Sequence, residues 1–123
     1  MDMNAQVQQS LQQDRVIDIT TIGRKSGNPV RKEMWFHNID GDIYITGTPG
    51  KRDWYANVVA NPHFTFHLKV SAEADLDATA RPITAAGEKR SVLERILANL
   101  ERSDEIDHWV ANSPLIEVAL SAA

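Results

Sequence analysis

Three segments of this chain, residues 16–22, 30–39 and 43–46, alternate apolar with polar residues, and this pattern constrains the fold most strongly. Each segment is rich in β-branched or aromatic residues, and a repeat of two places successive side chains on opposite faces of a strand. Asp40-Gly41 separates the last two segments and is typical of a two-residue hairpin, because both residues tolerate positive φ. We predict three consecutive strands.

The rest of the chain adds further strands and a late helical insertion. Strands are predicted over residues 63–70, 76–83 and 115–120, and helices over 4–14, 84–100 and 104–111. A short helix is predicted between Asp53, as its N-cap, and Pro62, as its stop. Five or six consecutive short strands favour a small antiparallel barrel over a doubly wound sheet. A ligand is therefore expected on the outer face of the barrel, often at a dimer seam.

Length and composition restrict the class of protein. The 123 residues, 42% of them hydrophobic, predict one domain over 1–123. The chain has no cysteine, which excludes disulfides, thiolate catalysis and Cys-ligated metals. Residues 1–15 lack the apolar core of a signal peptide, and no apolar run reaches the length of a membrane span. These features predict a cytoplasmic protein without an integral membrane segment.

Charge is segregated along the chain. Residues 15–69 carry eight Lys and Arg against five Asp and Glu, whereas residues 70–123 carry five against ten. The acidic second half argues against nucleic acid as a partner. Six cations predict a compact patch suited to an anionic cofactor: Arg24, Lys25, Arg31, Lys32, Lys51 and Arg52.

The run from Thr20 to Pro29 contains the clearest candidate for an anion-binding turn. Gly23 and Gly27 allow the backbone to bend, so that Arg24, Lys25, Ser26 and freed N–H groups converge on phosphate oxygens. The alternative is a plain hairpin turn with solvated basic residues. A phosphorylated small molecule is the ligand that this turn predicts.

Several other residues admit both a functional and a structural interpretation. Lys51 and Arg52 precede a helix start, where a second anion contact is favoured, but they also fit an ordinary basic loop. Trp54 is suited to stacking on a planar ring or to packing in the core. Asn57 is suited to a hydrogen bond with that ring or to capping a loop. His63 and His67 lie ~13 Å apart on a strand, so no shared metal site is predicted.

Two segments, Thr21 to Gly27 and Trp54 to Pro62, resemble the deazaflavin-dependent nitroreductase and quinone reductase family. The resemblance covers roughly residues 14–83. It implies a mainly β (α+β) fold, a split β-barrel of the FMN-binding type with flanking helices. It also implies hydride transfer from reduced coenzyme F420, a deazaflavin, to a quinone, nitroaromatic or activated alkene. Residue types alone leave flavin mononucleotide as an alternative cofactor.

The resemblance assigns a cofactor-binding role to particular residues. It places Arg24, Lys25, Ser26 and Gly27 beside the phosphate and anionic tail of the coenzyme. It places Met34 and Trp35 against the deazaflavin ring, and Trp54 and Asn57 on the helix that borders the ring pocket. The remaining members of the predicted site are Thr48, Gly50, Lys51 and Arg52. Thr48-Pro49-Gly50 departs from the serine and glycine pair usual in the family, and no catalytic residue is identified.

An oxidoreductase is thus the first functional hypothesis. The alternative is a non-catalytic module that binds a flavin, haem or lipid on the same barrel. A homodimer is predicted because Trp35, Phe36 and Trp109 are large apolar groups that one modest core leaves partly exposed.

Overall fold

The computed structural model describes residues 4–121, which contain seven β-strands and four α-helices. The strands are β1 (Val16–Ile22), β2 (Pro29–Trp35), β3 (His37–Ile39), β4 (Asp42–Thr46), β5 (His63–Leu68), β6 (Ala74–Pro82) and β7 (Leu115–Ser121). The helices are α1 (Ala5–Gln13), α2 (Asp53–Ala60), α3 (Ala86–Asn99) and α4 (Ile106–Asn112), with a 3₁₀ turn at Ser103–Glu105. Within residues 4–121, no helix combines the length and apolar character needed to cross a membrane.

The strands form one curled sheet in the order β2-β1-β5-β6-β7-β4-β3, with antiparallel neighbours throughout. Its two edge strands, β2 and β3, are separated in the chain by Phe36 alone. The sheet must therefore curl until its edges approach each other. The prediction of one strand over residues 30–39 is wrong, because β2 pairs with β1 whereas β3 pairs with β4 at the other end of the sheet.

Phe36 fixes this break by packing inward. Its side chain is 1% exposed and meets the ring of Phe66 edge-to-face, with centroids 5.4 Å apart. Its backbone N–H donates to the carbonyl of Arg15 at 2.9 Å, just before β1. The chain can therefore leave one edge of the sheet and join the other without exposing an apolar side chain.

The hairpin between β3 and β4 is confirmed. Asp40 and Gly41 have φ of 53° and 96°, as a two-residue turn with both central residues left-handed requires. The amide of Asn38 supports the turn by accepting a hydrogen bond from Gly41 N–H at 2.8 Å. This turn is set by local sequence.

Two hydrophobic clusters stabilise the fold. One lies inside the curled sheet with α1 and α2, and the other packs α3 and α4 against β3, β4 and the start of β7. Phe36 and Trp109 belong to these clusters and are 1% and 3% exposed. The prediction that Phe36 and Trp109 stay partly exposed for a dimer contact is therefore wrong. Trp35 is 50% exposed.

Helix α2 begins one residue earlier than an Asp53 cap requires. Its N-cap is Arg52, which makes no side-chain capping bond, and Asp53 is the first helical residue. The predicted cap is wrong, because the Asp53 carboxylate lies 3.4 Å from the Arg24 guanidinium instead of over the helix end. The helix ends at Ala60, just before Pro62, as predicted.

Candidate functional site

A cleft of about 580 Å³, here called the basic cleft, opens between β2, the start of α2 and the junction of α4 with β7. Its lining consists of Arg24 in the β1–β2 turn, Lys32 on β2, residues 50–53, 55 and 56 of the β4–α2 loop and α2, Lys89 on α3, and residues 111–114 at the end of α4 and before β7. Five cations line it with one carboxylate, that of Asp53. The cleft therefore carries a strong positive charge.

Most cations elsewhere in the described chain form ion pairs with carboxylates, whereas four of the five cations that line the basic cleft do not. Seven of the thirteen Lys and Arg side chains form ion pairs: Arg24, Arg31, Lys69, Arg81, Arg90, Arg95 and Arg102. Four of the remaining six line the cleft: Lys32, Lys51, Arg52 and Lys89. Like charges held close together without counterions repel one another, and an anionic ligand in the cleft would reduce that repulsion.

The glycine turn satisfies its own backbone. Gly23 N–H donates to the Asn28 carbonyl and Gly27 N–H to the Gly23 carbonyl, both at 2.8 Å. Asn28 N–H donates to Ser26 Oγ at 3.1 Å. Gly27 has φ of 73°, which the turn requires, and a Cβ on Gly23 would lie 2.6 Å from Ser26 Oγ and displace that hydroxyl from its bond with Asn28 N–H.

The expectation that freed N–H groups of this turn converge on an anion is therefore wrong for Gly23, Gly27 and Asn28. Lys25 and Ser26 have exposed side chains and lie outside the lining of the basic cleft, as does Gly27. Their contacts with a phosphate remain predictions. The turn contributes Arg24 to the cleft.

Asn57 holds this turn against α2. Its buried amide oxygen accepts hydrogen bonds from Arg24 N at 3.1 Å and Arg24 Nη1 at 2.9 Å. Its Nδ2 donates to Thr21 Oγ1 at 3.2 Å. Asn57 is 4% exposed, so its observed contacts are with the β1–β2 segment rather than with the cleft. It positions Arg24 by orienting both backbone and guanidinium.

The loop from Gly47 to Arg52 forms a second rigid wall. Arg52 Nη2 donates to the carbonyl and to Oγ1 of Thr48, each at 2.9 Å. Gly50 has φ of 138°, and its N–H donates to the Asn112 carbonyl at 3.0 Å. The loop is thus joined to α4, and Lys51 is presented on a constrained backbone.

A smaller pocket of about 290 Å³, here called the aromatic pocket, also borders β2 and this loop. Its lining consists of Trp35, His37, Thr46, Gly47, Thr48, Leu100, Arg102 and Trp109. Burial, together with the nearby charge of Arg15, lowers the pKa of His37 to about 4. The imidazole is therefore neutral at physiological pH.

The predicted site residues do not form a single lining. Arg24, Gly50, Lys51 and Arg52 meet at the basic cleft, whereas Trp35 and Thr48 meet at the aromatic pocket. Trp54 is 6% exposed in the core, which corresponds to its packing interpretation, and Met34 packs against the same cluster. Neither side chain lines the two cavities.

Sequence analysis did not assign Lys89, Asn112 and Ser113 to the site. Lys89 is one of several polar residues in the segment of α3, and Ser113 directly precedes a proline and a strand. Their approach to Lys51 depends on how α3 and α4 cross the sheet, which has no local sequence signal. Lys32 belonged to the predicted basic patch but not to the predicted cofactor contacts.

The histidines of β5 have separate partners. His67 is buried between Thr20 Oγ1 and Asp75 Oδ1, each at 2.7 Å from a ring nitrogen. His63 lies 3.5 Å from Thr79 Oγ1. Within residues 4–121, no group of three or more His, Asp or Glu side chains is placed to hold a metal ion.

A family model described as F420H(2)-dependent quinone reductase matches residues 1–116. Among curated proteins, no sequence matches the chain. A structure described as an F420 reductase shares 18% identity with a TM-score of 0.67, over 98% of this chain and 97% of that one. The crystal structure of a putative pyridoxamine 5′-phosphate oxidase from Listeria innocua shares 16% identity with a TM-score of 0.67, over 94% and 91%.

A third structure, described as a domain-swapped dimer, shares 22% identity with a TM-score of 0.60, over 86% of this chain and 81% of that one. At these identities the likeness concerns the fold alone. The predicted split β-barrel with flanking helices is confirmed, and the family match confirms the resemblance found in the sequence.

Proposed function

Because this chain belongs to the F420H(2)-dependent quinone reductase family, we propose that it transfers a hydride from reduced coenzyme F420 to a quinone. The chain is an F420-dependent oxidoreductase, and coenzyme F420 is its cofactor. When bound, the reduced deazaflavin supplies the hydride, while the protein supplies binding and orientation. Nitroaromatics and activated alkenes are the other acceptors that this proposal covers.

The observation that carries the proposal is the set of cations without counterions around the basic cleft. We place the phosphate and anionic tail of the cofactor there, within reach of Lys32, Lys51 and Arg52. Arg24 joins them, positioned by Asn57. Lys25, Ser26 and Gly27 are proposed as contacts at the outer end of the same turn, on the family resemblance alone.

The aromatic pocket and the basic cleft take part of their linings from the same two segments, β2 and the loop before α2. Lys32 and Trp35 are three residues apart on β2, about 10 Å at the rise of a strand, and their side chains point to opposite faces of that strand. Thr48 and Gly50 are two residues apart on the opposing loop. We propose that Trp35 and Thr48 border the deazaflavin ring, with Met34 and Trp54 supporting this wall from the core. The neutral His37 offers a ring N–H without adding charge.

Three further features belong to this proposal. Residues 1–123 act as one cofactor-binding domain. The chain forms a homodimer, supported by the half-exposed Trp35, by the exposed edge strand β2 and by a structural relative described as a domain-swapped dimer. The protein works in the cytoplasm, where a chain without cysteine tolerates a reducing environment.

The test follows oxidation of reduced F420 by absorbance, with menadione, a nitroaromatic and an activated alkene as acceptors. We expect turnover with menadione, and none when reduced nicotinamide replaces reduced F420. Lys51→Ala should lower kcat/KM for reduced F420 at least tenfold, whereas Arg95→Ala, which removes a cation paired with Asp40, should change it less than twofold. Tight F420 binding without reduction of any acceptor would contradict the proposed enzyme activity and indicate that the protein only carries the cofactor.

A further inference from the structure

One wall of the basic cleft is formed by α3 and by the junction between α4 and β7, and it carries polar side chains. It contributes Lys89 from α3 together with Asn112 and Ser113. The hydrogen bond from Gly50 N–H to the Asn112 carbonyl joins this wall to the loop that carries Lys51. The two sides of the cleft are therefore held in a fixed relation.

Lys89 is a half-buried cation without an ion pair in the described chain. The other cations of α3 have carboxylate partners, since Arg90 lies 2.7 Å from Asp107 and Arg95 contacts Asp40. Glu88, next to Lys89, is engaged by Arg81 at 2.7 Å. Burial lowers the pKa of the Lys89 ammonium below its usual value. An anionic group beside Lys89 would offset that desolvation.

Ser113 presents a second unsatisfied group on the same wall. Its side chain is 3% exposed, and its Oγ has no hydrogen-bond partner within residues 4–121. Its backbone is fixed, because Ser113 N–H donates to the Trp109 carbonyl at 2.9 Å. Buried hydroxyls without partners are rare, and an oxygen of a ligand bound in the cleft would complete the bonding of this one.

We propose that Lys89 and Ser113 form a second oxyanion subsite of the basic cleft, separate from the β1–β2 turn, which binds a carboxylate or phosphate group. The ammonium and the hydroxyl both donate to its oxygens. The inference rests on the proposed function in that the cleft holds the cofactor. The oxyanion belongs either to the far end of the cofactor tail or to an acidic electron acceptor.

The experiment compares Lys89→Ala with Arg90→Ala, which removes a neighbouring cation of the same helix that does not line the cleft. Binding of F420 and of a tail-free deazaflavin is followed by fluorescence. We expect Lys89→Ala to raise the Kd for F420 about tenfold or more and to leave the Kd for the tail-free compound unchanged. Arg90→Ala should change either value less than twofold.

An unchanged Kd for F420, combined with a raised KM for a carboxylated naphthoquinone but not for menadione, would assign the subsite to the acceptor. Unchanged values throughout would overturn the subsite. Inorganic phosphate separates this inference from the proposed function. If the wild-type protein binds no F420, yet phosphate raises its Tm and Lys89→Ala reduces that rise, the subsite stands and the F420 assignment to the cleft fails.

Ser113→Ala supplies the second readout. Removal of an unpaired buried hydroxyl should leave Tm equal or higher, while the Kd for the oxyanion ligand rises about threefold or more. A lower Tm with unchanged binding would make Ser113 a packing residue and overturn its part in the subsite.

Discussion

At the residue scale, Asn57 shows what sequence can and cannot predict about a side chain. Its position after Trp54 indicated that it was important, but two roles stayed open. The structure shows its amide bonded to Arg24 and Thr21, across 33 and 36 residues of chain. Partners at that separation depend on how α2 packs on β1, so local sequence could not identify them.

Asn57→Ala should lower the free energy of unfolding by about 1–3 kcal/mol, because Thr21 and the Arg24 backbone lose a buried partner. It should also weaken F420 binding by releasing Arg24. Urea denaturation and fluorescence titration measure the two effects. A variant as stable as the wild type would contradict the role of Asn57 in holding the turn.

Lys51 and Lys25 differ in exposure to the basic cleft, although both were predicted cofactor contacts. Lys51 lines the cleft and Lys25 does not. Lys51→Ala should therefore weaken F420 binding more than Lys25→Ala does, by about tenfold against about threefold or less. Fluorescence titration of both variants checks the order, and the reverse order would move the phosphate to the outer end of the β1–β2 turn.

His37 should make stability pH-dependent in a defined window. Its pKa is about 4 in the folded protein, below the ordinary value of 6.5. The unfolded chain therefore binds the proton more readily between these values, and the free energy of unfolding should fall as pH drops from 6.5 to 4, by at most about 3 kcal/mol. Urea denaturation at pH 7 and pH 4.5 measures the fall. His37→Asn should reduce it, and an equal fall in both proteins would exclude His37 as its source.

At the scale of elements, local rules predicted well where the cause was local. Asp40-Gly41 specified its hairpin, and Pro62 followed the end of α2. The strand over residues 30–39 failed because alternation continues through Phe36, while the break there results from closure of the distant sheet edges. Contact between distant sheet edges produces no periodic pattern of apolar residues in the sequence.

Phe36→Ala should cost about 3–5 kcal/mol of stability, because it empties the position where the chain passes between the sheet edges. Trp35→Ala is the matched control, as Trp35 is the adjacent aromatic residue and is 50% exposed. We expect the control to cost less than half as much in urea denaturation. Similar losses for the two variants would contradict the special role of the Phe36 junction.

At the scale of the whole molecule, the basic cleft assembles residues from 24 to 114 of the chain. Sequence predicted its members near the glycine turn and before α2, because cations cluster there. It could not predict Lys89 or Ser113, which reach the cleft through the packing of α3 and α4. Of the three aromatic residues considered for a dimer contact, Phe36 and Trp109 are buried and Trp35 is 50% exposed, so the proposed contact involves Trp35.

The central claim is that the cations of the basic cleft bind the anionic part of coenzyme F420. Fluorescence titrations of F420 and a tail-free deazaflavin, with the wild-type protein and with Lys32→Ala/Lys51→Ala, test it most directly. We predict that the wild type binds F420 at least tenfold more tightly than the tail-free compound, and that the double variant abolishes this difference. An equal preference for F420 in both proteins would contradict the account.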